Sequence, residues 1–464
     1  MRKRAQLKLK SNAAILLVAC LQLALSPLLL AAETTLQGYV SNVDRLTKDI
    51  LKDEIELEQF SLRYRLETGR ANRLKSWRYF AFQEAALGLF EANCITLASY
   101  RGENLNNPEE LKPGPSAYAS AFPMLLGFAV GGAGDAIEFG LNAYHSWQRA
   151  RTGFSQKESL AHVAATLRVI DAKLAQRRRM IESEPPEDEE LAQLQKLEGV
   201  LLSDFRDLSI AEFERYHVGA SRGLAMENTF YVLDMAKAST GCVWTGLDLY
   251  LFRHGKGRID TAAGIVDIVN ASSVMIDPIG AKLAGTVAEK MDRRKLRACG
   301  LRSLDFTEDK LRADYQLLRQ FAKTHASSEK PDVIALLARM DHYEANTGYY
   351  SAELRHTAEE LQEIRRSLLE HLGWGLFVGG SKYPLAILST VGGVRFPYRD
   401  RIINSYYFAG GVAYMPAVTI SIIDSWHKQV KGEMTFQRLR RDHKLPGQLI
   451  NDRLAELHNF SQKL

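Results

Sequence analysis

Hydrophobic and polar positions alternate along this chain in long blocks. Beyond the first 32 residues, charged stretches separate three apolar regions that are rich in glycine, alanine and aromatic residues. Each apolar region is interrupted by a short polar segment, and two apolar segments around a polar turn are typical of a helical hairpin. The pattern therefore predicts three apolar helical hairpins, which cover about 79–144, 229–287 and 372–424.

One phrase occurs near the end of the first and third apolar regions. It reads GGAGDAIEFGLNAYHSWQR at 131–149 and GGVAYMPAVTISIIDSWHK at 410–428, and the middle region holds a fainter form, ASSVMIDPIGAKLAGTVAEK, at 271–290. Recurrence at a fixed spacing is typical of a repeated supersecondary unit. We therefore predict a threefold internal repeat of about 150 residues.

The charged stretches between the hairpins have a helical period. Apolar residues recur at spacings of three and four from Leu160 to Leu174, which is the seam of a coiled coil or of a packed amphipathic helix. Pro185 and Pro186 end this helix, and a second one is predicted to begin near Glu187, with leucines on one side. Further helices are expected at 43–60, 304–323, 331–371 and 434–464.

No segment has the sustained alternation of a β-strand. The predicted fold is therefore all-α, with three Gly/Ala-rich apolar helical hairpins alternating with long charged amphipathic helices. We divide the chain into a leader, three units that each combine a helical arm with one hairpin, and a C-terminal amphipathic helix. Their ranges are 1–32, 33–150, 151–290, 291–426 and 427–464.

The apolar segments differ in how well they suit a membrane. A spanning helix needs about 20 apolar residues, and the segments 113–134 and 402–423 meet this length without any charge. Glycines four residues apart, such as Gly127 and Gly131 or Gly375 and Gly379, would let helices approach closely in lipid. These features favour a membrane-integrated protein.

The other apolar segments contain charges, and each charge near a bilayer centre costs about 2.5 to 3.5 kcal/mol. Such residues are tolerated where they face one another in a bundle, and they then mark a functional site. Alternatively, they belong to amphipathic helices whose charged face meets water, which we favour for the second hairpin. The candidate buried acids are Glu84, Asp135, Asp234 and Asp277.

Four of the five tryptophans flank the ends of the first and third hairpins. Trp77 and Trp147 flank the first, and Trp374 and Trp426 flank the third. Tryptophan is enriched where an apolar ring sits in hydrocarbon and its N–H reaches water, so these residues are interpreted as an interfacial belt. The alternative is that they close the open end of a soluble helical bundle.

The N-terminus combines a basic segment with a long apolar run. This is typical of a secretory signal peptide, and the apolar run of 13–32 is also long enough for an uncleaved anchor. The sequence LVAC, which ends at Cys20, resembles a lipoprotein lipidation site. The remaining cysteines, Cys94, Cys242 and Cys299, are expected to be small buried thiols.

The net charge of +5 comes from five basic residues that precede the first acid of the 464-residue chain, so no nucleic-acid surface is expected. The segment 375–382, GLFVGGSK, lacks the order of a phosphate-binding loop and has no strand before it. Since no catalytic motif, metal-ligand spacing or cofactor fingerprint occurs, we predict neither an enzyme nor a cofactor.

These observations favour an exported, membrane-integrated helical protein. We expect a scaffold in a bacterial inner membrane, in contact with lipid, whose periplasmic arms bind a protein partner or self-associate. The first alternative is a channel or transporter that uses its intramembrane carboxylates. The second is a soluble periplasmic or secreted helical-repeat protein that binds a partner.

Overall fold

The computed structural model describes residues 36–69, 73–103, 115–183, 188–254, 258–301, 307–328, 330–365, 368–396 and 400–464. The described residues form helices and short connections and contain no strand, which confirms the all-α prediction. The leader, with Cys20, lies outside this part of the chain. The helices are α1 (Leu36–Thr68), α2 (Arg73–Glu103), α3 (Pro115–Thr152), α4 (Gln156–Ser183), α5 (Glu189–His254), α6 (Arg258–Ala298), α7 (Glu308–Thr324), α8 (Pro331–Asn346), α9 (Tyr349–Arg365), α10 (Leu368–Arg395), α11 (Asp400–Arg441) and α12 (Pro446–Ser461).

Six helices form a closed ring of three antiparallel hairpins. The pairs α2 and α3, α5 and α6, and α10 and α11 are the three predicted hairpins. Between hairpins, α3 packs on α5, α6 packs on α10, and α11 packs back on α2. Arg101 near the end of α2 contacts both Phe252 near the end of α5 and Asn404 near the start of α11. The turn ends of the hairpins therefore lie together at one end of the ring.

Glycine allows the ring helices to approach closely. A Cβ atom on Gly264 of α6 would lie 2.5 Å from the backbone nitrogen of Thr390 in α10. A Cβ atom on Gly127 of α3 would lie 2.4 Å from the ring of Phe90 in α2. Any larger side chain at these positions would push two helices apart, as the four-residue glycine spacing around Gly127 suggested.

The second body of the molecule, here called the arm, is a polar-surfaced helical bundle at the other end of the ring. It contains α1, α4, α7, α8, α9, α12 and the N-terminal half of α5. Its core buries one apolar face of each helix, including Leu160, Leu167 and Ile170 of α4 and Leu194 and Leu201 of α5. The arm helices are thus held by the apolar seams seen in the sequence.

Helix α5 belongs to both bodies. It runs without a break for 66 residues, which corresponds to a length of ~100 Å. Leu201 and Phe213 lie in the arm core, whereas Trp244 and Leu251 lie inside the ring. The arm helix predicted to begin near Glu187 and the apolar segment beginning at residue 229 are therefore one rod.

The predicted helix over 331–371 is interrupted. Helix α8 ends at Asn346, α9 begins at Tyr349, and Gly348 between them has a φ of 151°. Glycine adopts this conformation readily and other residues do not, so the chain turns here. Three helices also cross the boundaries that we drew between units, because α3 continues to Thr152, α6 to Ala298 and α11 to Arg441.

The outside of the ring is apolar. Among the described residues, large exposed hydrophobic side chains lie on the ring helices, apart from Val169, Val200, Leu317 and Ile334. Three helical stretches are long and apolar enough to cross a membrane, and they lie within Ala121–Ser183, Arg258–Ala298 and Ile402–Ser461. Only 33%, 33% and 39% of their most apolar windows are buried. Because most of this apolar surface faces outwards, the structure supports a membrane-associated protein.

Candidate functional site

The interior of the ring is polar and charged, opposite in character to its outer surface. The described buried polar residues of the ring include Asn93, Arg101, Asp135, Glu138, Asp234, Asp248, Asp260, Asp267, Asn270, Asp277 and Lys382. The acids of the second hairpin therefore face other helices, which overturns the interpretation that they form a water-facing surface. Lys282, a basic residue of the same hairpin, differs from these acids because its side chain is exposed.

At the end of the ring nearest the arm, ion pairs join neighbouring helices. Arg78 of α2 donates two hydrogen bonds to Glu138 of α3, at 2.5 and 2.9 Å. Lys75 Nζ lies 2.7 Å from Glu227 Oε2 of α5 and 3.0 Å from Asn142 Oδ1 of α3. These two ion pairs thus neutralise Arg78 and Lys75 at this end of the ring.

Deeper in the ring lies a cluster of three carboxylates, Asp135, Asp234 and Asp277. Lys237 pairs with Asp234 on its own helix and lies 3.8 Å from Asp277 Oδ2. Asp135 faces this group and the hydroxyl of Tyr79, and its Oδ1 has no hydrogen-bond partner. Lys237 therefore faces three buried acids. The cluster has a net negative charge when all three acids are ionised.

In the middle of the ring, a buried lysine sits among aromatic rings. Lys382 Nζ of α10 donates to Asn270 Oδ1 at 2.9 Å and lies 4.9 Å from the ring centroid of Phe128, 5.5 Å from that of Trp244 and 5.3 Å from that of Tyr414. These contacts stabilise an ammonium group away from water. Asn270 also donates to the carbonyl of Lys237 at 2.7 Å, which connects this level with the acid cluster.

A small cavity continues from Lys382 towards the turn end. Its volume is about 30 Å³, and its lining includes Asp267, Lys382, Asp248 and Tyr407. Neither oxygen of Asp267 has a hydrogen-bond partner, although the side chain is 1% exposed. A cavity of this size holds about two water molecules, and such waters would satisfy these oxygens.

Near the turn end, Tyr407 of α11 connects two carboxylates. Its hydroxyl lies 2.7 Å from Asp248 Oδ1 of α5 and 2.9 Å from Asp260 Oδ1 of α6. A hydroxyl has one proton and can donate it to only one acceptor. The second contact is a hydrogen bond only if the other acid carries a proton and donates to Tyr407. With one acid protonated, Tyr407 donates to one carboxylate and accepts from the other, so the three groups form a chain of hydrogen bonds.

Arg101 lies at the turn end of the ring interior. Its side chain is fully buried, Nη1 donates to Asn404 Oδ1 at 2.7 Å, and the guanidinium carbon lies 4.2 Å from the ring centroid of Phe252. The other two nitrogens, Nε and Nη2, have no hydrogen-bond partner. The turn end of the ring interior thus holds a buried cation with two unpaired nitrogens.

The structure brings together three of the four predicted acids. Asp135, Asp234 and Asp277 form one cluster, whereas Glu84 is half-buried, its Oε1 is unpartnered, and it makes no hydrogen bond or ion pair with them. Asp267 and Lys382 are not among the candidates predicted from the sequence, where each is a charged residue within an apolar segment. Their role depends on the residues of other helices that bury them, and the sequence does not reveal these neighbours.

Trp77, Trp147 and Trp426 lie where the ring meets the arm. Trp77 and Trp426 are 37% and 48% exposed, and their rings lie on either side of Phe80, with centroids 5.7 and 4.9 Å from it. Trp147 is 54% exposed, and the side chain of Trp374 lies outside the described part of the structure. The arm-side ends of the first and third hairpins thus carry outward-facing tryptophan side chains.

No group of three or more histidine, cysteine, aspartate or glutamate side chains within the described residues is arranged to hold a metal ion. Comparison of the chain with protein-family models, with curated proteins and with solved structures found no match. The candidate site is therefore assigned from its geometry.

Proposed function

We propose that the protein is an exported, membrane-embedded transporter that moves protons through the interior of its helix ring. The observation that carries this proposal is the contrast between the two surfaces of the ring. Buried ionisable groups inside a membrane bundle are costly, and they typically mark an ion or proton path. The apolar outer surface also supports the proposal, because a surface of this kind is stable against lipid and unfavourable in water.

Protons are favoured over larger ions by the width of the interior. The cavity beside Lys382 has room for about two water molecules, which is too little for a hydrated metal ion. Side chains that accept and donate protons continue on both sides of it, from Asp135 and Asp277 to Asp260. A proton can move along such groups by exchange of hydrogen bonds, without an open pore.

For the orientation, we propose that the arm lies outside the cytoplasm. The first residues are strongly basic, and the turns at 253–258 and 395–401 each contain three lysine or arginine residues. Short basic loops stay on the cytoplasmic side, so the arm would face the periplasm or its equivalent. The outward-facing Trp77, Trp147 and Trp426 would then lie at the outer interface.

Proton flux into liposomes tests the proposal. The full chain is reconstituted with a pH-sensitive dye inside, and a potassium gradient with valinomycin supplies the driving force. We expect flux above that of protein-free liposomes and a loss of at least tenfold in Lys382→Met and in Asp267→Asn. Lys282→Met removes the same charge from the exposed side of the ring and should leave the flux unchanged.

Flux equal to that of empty liposomes would contradict the proposal. If the protein then stays in the membrane pellet after an alkaline carbonate wash, a scaffold whose arm binds a protein partner or a second copy remains the better hypothesis. Release by the same wash would contradict membrane integration itself and would favour a soluble binding protein.

A further inference from the structure

The arm contains a second cavity, remote from the ring interior. Its volume is about 60 Å³, and it lies between α1, α5, α8, α9 and α12. One part of its lining is apolar, with Leu62 and Leu354, and another part is polar, with Ser61, Ser209 and Asn346. A mixed lining of this kind suits a small molecule that has a charged head and a short hydrocarbon tail.

Three glutamates line this cavity, and two of them are neutralised by arginine. Arg453 donates to both oxygens of Glu58, at 2.8 and 3.2 Å. Arg65 Nη2 lies 2.8 Å from Glu212 Oε2. Both arginines of the lining are thus paired with these two glutamates, and neither pairs with the third glutamate.

The third glutamate, Glu54 of α1, has no such partner. It is 4% exposed, and neither carboxylate oxygen makes a hydrogen bond. Burial, Glu58 and Asp53 raise the pKa of Glu54 well above its usual range. A buried carboxyl group without a protein partner is stabilised by a proton, by water in the cavity or, most strongly when it is ionised, by a cation from solution beside it.

The geometry points to an ammonium-binding site, in which Glu54 is the counter-ion for a small primary amine held in the arm cavity. An ammonium group has three donors, and the cavity lining includes the two unpartnered oxygens of Glu54 and the hydroxyls of Ser61 and Ser209. Calcium instead takes six to eight oxygen ligands, which one free carboxylate does not supply. The volume has room for about four to six water-sized positions, so the expected ligand is a short alkylammonium ion.

Isothermal titration of the full chain in detergent micelles with ethylammonium chloride tests this site, against sodium chloride at the same ionic strength. We expect saturable binding to the wild type and at least tenfold weaker binding to Glu54→Gln, which keeps the shape of the side chain. Glu56→Gln removes the same charge from an exposed position of α1 and should bind like the wild type. Ser209→Leu adds bulk to the cavity wall and should also abolish binding.

A second readout separates a binding role from a structural one. Binding should ionise Glu54, so near pH 7 the wild type should release up to about one proton per amine, measured in buffers of different ionisation enthalpy. This release should disappear in Glu54→Gln. Absence of amine binding to the wild type, equal affinity in the Glu54 variant, or the same response to sodium would each overturn the site. None of these outcomes bears on proton flux through the ring.

Discussion

Replacement of Glu198 should lower the unfolding free energy of the arm more than replacement of an exposed acid does. Its carboxylate lies at the centre of a buried network: Oε1 accepts from Arg339 at 2.7 and 3.0 Å and from the Tyr343 hydroxyl at 2.8 Å, and Oε2 accepts from Arg177 at 3.3 Å. Arg339 also binds Asp44 at 2.6 Å. A single side chain of α5 thus holds α1, α4 and α8 in place.

The magnitude follows from what Glu198→Ala leaves behind. Arg177 and Arg339 have side chains that are 4% and 5% exposed, so neither can recover its lost partner from water. Burial alone would lower the pKa of Arg339, but Glu198, Tyr343 and Asp44 outweigh it and raise the pKa. Removing one partner of a buried ion pair costs about 3 to 5 kcal/mol, and we expect a loss in this range.

Hydrogen exchange in the full chain, read by mass spectrometry, can assign this loss to the arm. A cost of about 3 to 5 kcal/mol raises the exchange of protected arm amides by about a hundredfold to several thousandfold. Glu198→Gln keeps the acceptor oxygen and should lose less. Glu182→Ala, an exposed change on α4, should stay within about 0.5 kcal/mol of the wild type. Equal exchange in Glu198→Ala and Glu182→Ala would refute the reasoning.

Three further predictions follow from other parts of the chain. Burial raises the pKa of Asp204 to about 6, so the folded arm binds this proton more tightly than the unfolded chain does. The unfolding free energy should therefore fall as the pH rises from about 4 to 6, and thermal melts of Asp204→Asn should lack that share of the slope. Gly348→Ala should cost about 1 kcal/mol or more in melting experiments because of its φ of 151°, whereas Gly219→Ala, in an open helical position of α5, should be neutral or stabilising. Brominated lipid should quench the fluorescence of a variant whose single tryptophan is the exposed Trp426 and should spare one that keeps only the buried Trp244; equal quenching would contradict the position of the ring in the membrane.

The helices and their apolar faces were readable from the sequence because both depend on local spacing. Leu160, Leu167 and Leu194 recur with a helical period, and the structure buries all three. The break at Gly348 was missed because one glycine within a helical pattern is usually tolerated, and only its backbone conformation shows that the chain turns there. The continuity of α5 was missed for the converse reason, since a change in composition near residue 229 resembles a boundary although nothing there breaks a helix.

The candidate site was readable only in part. Asp135 and Asp277 attracted attention because each lies in an apolar stretch, which is a local property. Whether Asp248 and Asp267 meet water or other helices depends on the closure of the ring, which brings α10 and α11 against α5 and α6. The partnership of Tyr407 with two acids, and the isolation of Glu54, depend on residues far apart in the sequence and could not be anticipated from it.

The division of the arm among distant segments affects how the molecule is made. Glu58 in α1 pairs with Arg453 in α12, and these residues are 395 positions apart. At about 5 to 20 residues per second, a ribosome needs about 20 to 80 s to synthesise the chain between them. All three hairpins emerge during that interval, whereas the face of α1 with Ile55 and Leu62 must wait for α12 to cover it. Helix α12 thus completes a core that α1, synthesised long before it, began.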